Sequence, residues 1–170
     1  MSADRPVTPA RDRPANQRGA ARLAAVQALY QMDLGGVTLP DVIAEFETYR
    51  LGKEVDGDQY RDADAAFFRD IVSGVVATQR RLDSAIAAVL TPGWPLTRLD
   101  ATMRAILRSG AYELEARPDV PARVVINEYM DVARAFFDDD ARSMVNGVLD
   151  GLARVLRPAE LAPAAGRDGG

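Results

Sequence analysis

The chain has no cysteine and no histidine. It therefore offers no thiolate nucleophile, no disulfide, no imidazole base and none of the sulfur or imidazole ligands that most zinc sites need. Most familiar hydrolase chemistries are excluded with them. The lack of cysteine also agrees with a reducing compartment. Lysine occurs once, at Lys53, so arginine carries nearly all of the positive charge. No run of about 18 apolar residues occurs, which excludes a membrane-spanning helix and a membrane partner. The opening stretch, MSADRPVTPARDRPANQRG, is too polar for a secretory signal, and the expected location is the cytoplasm.

What is present is an ordinary globular composition, 170 residues with 48% apolar and 27% charged. A chain of this size can bury about 70% of its unfolded surface in one domain. The formal net charge of -4 hides a division along the chain. Residues 1–30 hold Arg5, Arg11, Arg13, Arg18 and Arg22 against Asp4 and Asp12, a net of +3. The other 140 residues hold 16 basic and 23 acidic side chains, a net of -7. A basic head precedes an acidic body.

The first 17 residues carry three prolines and few large apolar side chains, too little to offset the entropy of ordering, and are expected to form a flexible arm. Residues 158–170 are expected to form a flexible tail. Between them the apolar period is helical and no sustained strand alternation occurs. A first helix is expected from about Gln17, with Leu23, Val26, Tyr30 and Leu34 on its inner face and Gly35-Gly36 as its stop. Thr38 is a candidate N-cap for a second, with Pro40 in its first turn and Ile43, Phe46 and Leu51 buried. Lys53–Tyr60 is acidic, contains Gly57, and is expected to be a loop.

A long helix from about Asp62 to Leu90 follows, burying Phe68, Ile71, Val75, Leu82, Ile86 and Val89. Thr91-Pro92-Gly93-Trp94-Pro95 ends it. The next runs from about Asp100 to Glu115 on Met103, Ile106, Leu107 and Leu114. Asp119 and Pro121 open another, with Ile126, Tyr129, Ala133 and Phe136 inward. Asp138-Asp139-Asp140 leads into the last, built on Val145, Val148, Leu149, Leu152 and Leu156. The expected fold is all-α, a bundle of about six or seven helices in two small sub-bundles, about 18–91 and 98–157, sharing one interface. Gly74, Gly110 and Gly147 fall inside helical patterns, and close helix contact is the expected reason.

Three places could carry chemistry. Carboxylates at Asp138–Asp140 could hold a divalent cation, but the spacing matches no calcium loop, and acidic residues before a helix favour its dipole. Glu113 and Glu128 could do acid-base work, though nothing in the sequence brings them together. No glycine-rich loop follows a strand, so neither catalysis nor a cofactor or metal is expected. Arg18 and Arg22 lie one turn apart, to one side of the Leu23, Val26 and Tyr30 face. Both guanidinium groups are expected to be exposed and able to meet phosphates, and replacing both is expected to leave the helix folded. Asn127 and Asn146 are helix-interior amides, for which local hydrogen bonding is the plain explanation.

The segments ARLAAVQALYQMD from Ala21, LRSGAYEL from Leu107, DVPARVVINE from Asp119 and VNGVLDGLAR from Val145 resemble the NusB family of transcription antitermination factors. The resemblance covers roughly residues 18–157. It implies a non-catalytic protein of two helical bundles that binds boxA of nascent ribosomal RNA with the ribosomal protein NusE. That pair loads onto RNA polymerase in an antitermination complex.

Carried over by position, the family's arginine-rich motif falls on Arg18 and Arg22, with Gly19 and Ala20 where relatives are often basic. Arg11 and Arg13 are candidates to compensate from the arm. Asp140 and Met144 match RNA-contacting positions, methionine standing where a stacking ring is common. Arg108, exposed on the helical pattern, is a weaker candidate, and Asn127, Glu128, Asn146 and Gly147 carry the family look. The alternative is a helical adaptor that binds protein without specific RNA recognition. A NusB-like region also opens some ribosomal-RNA methyltransferases, but 170 residues leave no room for their catalytic domain. The sequence leaves both monomer and homodimer open.

Overall fold

Four of the helix starts follow directly from short oxygen-bearing side chains that accept an otherwise unpaired backbone N–H. In the computed structural model, Thr38 Oγ1 accepts from the Asp41 N–H at 3.4 Å, and Asp64 from Phe67 at 2.9 Å. Asp100 accepts from Thr102 at 2.8 Å, and Asp138 from Ala141 at 3.2 Å. The structure describes residues 14–50, 54–55, 58–59 and 64–161, with side chains for 17–48 and 64–161. The candidates Arg11 and Arg13, and Leu51 in the second helix, lie outside these.

The helices are α1 (Pro14–Leu34), α2 (Leu39–Glu45), α3 (Ala65–Val89), α4 (Ala101–Ala116), α5 (Ala122–Arg134), α6 (Asp139–Leu156) and α7 (Pro158–Leu161). A π-helical turn, Phe46–Arg50, extends α2, and a 3-10 turn, Leu96–Arg98, precedes α4. Helix α1 starts three residues earlier than the pattern suggests, at Pro14, because the fixed φ of proline suits a first turn. Gly35 and Gly36, at φ 135° and 84°, end it where expected. The stretch expected to be a loop contains a minimal antiparallel ladder, Glu54–Val55 (β1) on Asp58–Gln59 (β2).

Helix α4 is the shared member of two triples, α1 with α3 and α5 with α6. Its buried residues and those of both triples form one apolar cluster that runs through both halves of the chain. Two glycines allow the close approaches. A Cβ at Gly74 on α3 would stand 2.1 Å from the Tyr112 ring of α4, and one at Gly110 would stand 2.6 Å from Leu149 on α6. Gly147 is different. A Cβ there meets nothing within 4 Å, so close helix contact is not its reason. The Tyr112 hydroxyl, once past Gly74, donates to Asp70 at 2.7 Å. Thr78, one turn further along α3, donates to the Gly74 carbonyl at 2.7 Å and sits at a non-helical φ/ψ of -119° and 15°, kinking the helix.

Several faces differ from the pattern. Tyr30 and Leu34 are exposed, as is Phe136. The inner side of α1 is instead Ala21, Ala24, Ala25, Val26, Ala28 and Leu29, since short side chains let the backbone come close to α3 and α4. Asp119 does not cap α5, whose flanking residue Pro121 makes no side-chain cap. Its carboxylate takes a fork from Arg117 instead, at 3.0 and 2.9 Å.

The expected tail is ordered as far as Leu161. Arg157 donates to the carbonyls of Glu113, Leu114, Arg117 and Val120 at 2.7–3.1 Å, covering the C-terminal end of α4. Glu160 bonds Arg157 at 2.8 Å and the Ala122 N–H at 3.2 Å, which holds α7 against the start of α5. These two bonds hold the Glu160 carboxyl below its ordinary pKa.

Replacing Gly74 with alanine is expected to cost about 1–3 kcal/mol by overpacking against Tyr112. Gly147→Ala is expected to gain up to about 1 kcal/mol of helix propensity. Urea midpoints of the two variants should move in opposite directions. Burial, and then the bond to Asp70, push the Tyr112 phenol up to about 12. The folded chain therefore keeps that proton longer than the unfolded one, and stability is complete below about pH 10 and declines as pH climbs toward about 12. Tyr112→Phe should flatten that decline in urea midpoints measured across the interval.

Candidate nucleic-acid interface

The N-terminal end of α1 meets the start of α3, the end of α4 and the start of α5. The Asp64 N–H donates to the Gln17 carbonyl at 3.2 Å and fixes the first of these junctions. The Phe67 ring lies at the centre, with the guanidinium groups of Arg18, Arg22 and Arg117 at 4.7, 4.9 and 5.1 Å from its centroid. Asp64, Asp70, Glu113, Asp119 and Glu128 surround the three cations.

Arg22 corrects the sequence expectation. Its side chain is only 2% exposed, because residue 22 falls on the buried side of α1, on the flank of the alanines beside Val26 and Leu29. Its Nε and Nη2 donate to the two oxygens of fully buried Glu113, both at 2.9 Å. Its Nη1 lies 3.4 Å from Glu128. Glu113 and Glu128, which the sequence left apart, are thus brought to one guanidinium. Burial works against the charged form of Arg22, but the hydrogen bonds and charge of Glu113 outweigh it and raise its pKa. Burial also raises the Glu128 carboxyl, against the pull of Arg22. The Tyr129 hydroxyl lies fully buried beside the pair, where burial and then the Glu113 charge keep its proton on well above the usual range. Arg22 is a strut between α1, α4 and α5, and it is not a surface cation.

Arg18 keeps its place on the surface. Its side chain is 34% exposed, with Asp64 and Asp119 each at 3.8 Å, distances of loose ion pairs. Arg108 is a second correction, since its side chain is 13% exposed and forms a fork with Asp83 at 2.8 and 3.0 Å. Asn127 and Asn146 are exposed on α5 and α6, so buried local hydrogen bonding does not explain either amide.

Asp140 and Met144 stand at the first turns of α6, exposed and half-buried respectively. They line a groove with Leu99 and Met103, at the opposite end of α4 from Arg18. The ten rises from Met103 to Glu113 alone span about 15 Å of helix, so Arg18 and Asp140 stand at opposite ends of α4. In the acidic turn, Asp138 caps α6 and Asp139 pairs with Arg142. Among the described residues no group of three or more acidic or histidine side chains could hold a metal ion.

Breaking a buried pair leaves an uncompensated charge, so Arg22→Ala and Glu113→Ala should each lose about 3–5 kcal/mol. Combining Arg22→Met with Glu113→Leu removes both charges and should recover most of that loss. Urea unfolding of the three proteins checks the expectation, and single variants as stable as the parent would count against it. Replacing Arg18 and Arg22 together is therefore expected to perturb folding, contrary to the sequence-based expectation.

The sequence model of the NusB family matches residues 19–154. The transcription antitermination protein NusB of Rhodopseudomonas palustris (strain HaA2) is 60% identical over 152 residues, 89% of this chain and 90% of its own. That of Nitrobacter hamburgensis is 61% identical over 151 residues, 89% of this chain and 94% of its own. Among solved structures, NusB from T. maritima is similar with a TM-score of 0.65 at 28% identity, covering 81% of this chain and 90% of that one. A crystal structure of the antitermination factors NusB and NusE in complex with dsRNA is similar with a TM-score of 0.65 at 26% identity, covering 82% and 97%. A family match over most of the helical body, joined to relatives at this identity and to a similar arrangement of helices, leaves one conclusion: the chain belongs to the NusB family.

Proposed function

We propose that this chain is a transcription antitermination factor that binds boxA of nascent ribosomal RNA together with NusE and joins RNA polymerase in a complex resistant to termination. The observation that carries this reading is the family match over residues 19–154. The likeness to NusB in a solved complex with NusE and RNA supports it. No catalytic step is required. Arg18, in the first turns of α1, is the described guanidinium of the basic head that is free to exchange its loose carboxylate partners for phosphate. Arg11 and Arg13 extend the same charge. Asp140 and Met144 form the far end of the RNA track, and Arg22 positions α1 without touching RNA.

A second reading, a helical adaptor for protein alone, draws on the acidic surroundings of Arg18. Binding to boxA and to a scrambled RNA separates the two. Mobility-shift titrations with and without NusE should show preference for boxA. Arg18→Ala should weaken binding and reduce the slope of log affinity against log salt by about 0.7, the share of one single-strand phosphate contact. Equal affinity for both RNAs would favour the adaptor.

A further inference from the structure

The groove that holds Asp140 and Met144 has a volume of about 450 Å³. Leu99, Met103 and Val148, all buried, contribute its floor. Trp94, the only tryptophan of the chain, also lines it and is 58% exposed. Its turn is rigid. Pro92 and Gly93 occupy the central positions of a type II turn, Gly93 at φ 90°, and the Trp94 N–H donates to the Thr91 carbonyl at 3.0 Å. Pro95 then fixes the next φ at -69°. A flat ring held this way loses little freedom when a second ring stacks on it.

A single exposed aromatic ordinarily requires no explanation. Among the described residues that line this groove of ligand size it is the one aromatic side chain, and methionine at 144 has no π face to offer. The acidic start of α6 repels phosphates, so the part of a nucleic acid that suits the groove is a neutral base whose amino group donates to Asp140. We infer that Trp94 is the stacking platform for an unpaired RNA base, with Asp140 reading the exocyclic amine of that base.

This inference rests on the RNA-binding reading above and adds a contact to it. The test uses the full chain, boxA RNA, and the emission of its single tryptophan, with mobility shifts run in parallel and each repeated with NusE. RNA should quench the emission. Trp94→Ala should weaken RNA binding between about 5-fold and about 150-fold, and Trp94→Phe should restore most of it. Unchanged circular dichroism and urea midpoints for both variants would exclude a folding defect. RNA that shifts the protein while leaving the emission and the Trp94→Ala affinity unchanged overturns the stacking inference and leaves the RNA reading intact. Emission quenched by NusE alone, with no further change on adding RNA, overturns it in favour of a protein contact. If neither RNA nor RNA with NusE shifts the protein at all, the RNA reading fails and the inference with it.

Discussion

The buried fork between Arg22 and Glu113 is the constraint on which the arrangement of this chain depends. A charged guanidinium removed from water is tolerable only when its donors meet carboxylate oxygens in good geometry, and Glu113 meets two of them at 2.9 Å. Satisfying that pair fixes α1 in rotation and in height against α4. With α1 fixed, its alanines lie against α3 and α4, and Tyr30 and Leu34 are turned outward. Glu128 ties α5 to the same point. The strut thus joins the two helical triples through α4, the helix that belongs to both.

The same fork decides where the basic head begins. Because Arg22 is consumed in the body, Arg18 is the described arginine of the basic head that α1 leaves at the surface. The body beneath it is anionic, with Asp64 and Asp119 facing Arg18 loosely and Asp70 and Asp119 holding Arg117. The Arg117 fork keeps the Asp119 carboxyl below its usual pKa, so this carboxylate is charged at neutral pH. A phosphate approaching Arg18 therefore competes with carboxylates already present, which favours exchange over simple addition.

At the other end of α4 the chemistry changes from ionic to apolar. The Pro-Gly-Trp-Pro corner that ends α3 is legible in sequence as a breaker, and the structure gives it a second consequence by setting an indole beside Met144 and Asp140. Turn chemistry is local and could be anticipated, whereas the neighbour of Trp94 comes from residues about fifty positions later in the chain.

The sequence by itself determined the number and order of the main helices, the cap at Thr38, the acidic lead into the last helix, and the family to which they belong. Caps, glycine stops and a helical apolar period act over a few residues, and their physics is contained in those residues. Only the tertiary structure decided which face of α1 is inner. A wheel weighted toward bulky side chains points to Leu23 and Tyr30, but close packing selected the alanines and carried Arg22 inside with them. It also decided that Glu113 and Glu128 share one guanidinium, that Arg108 is spent on Asp83, and that Arg157 closes α4. Each of these outcomes depends on a partner distant along the chain, and no local pattern encodes the distance between two helices.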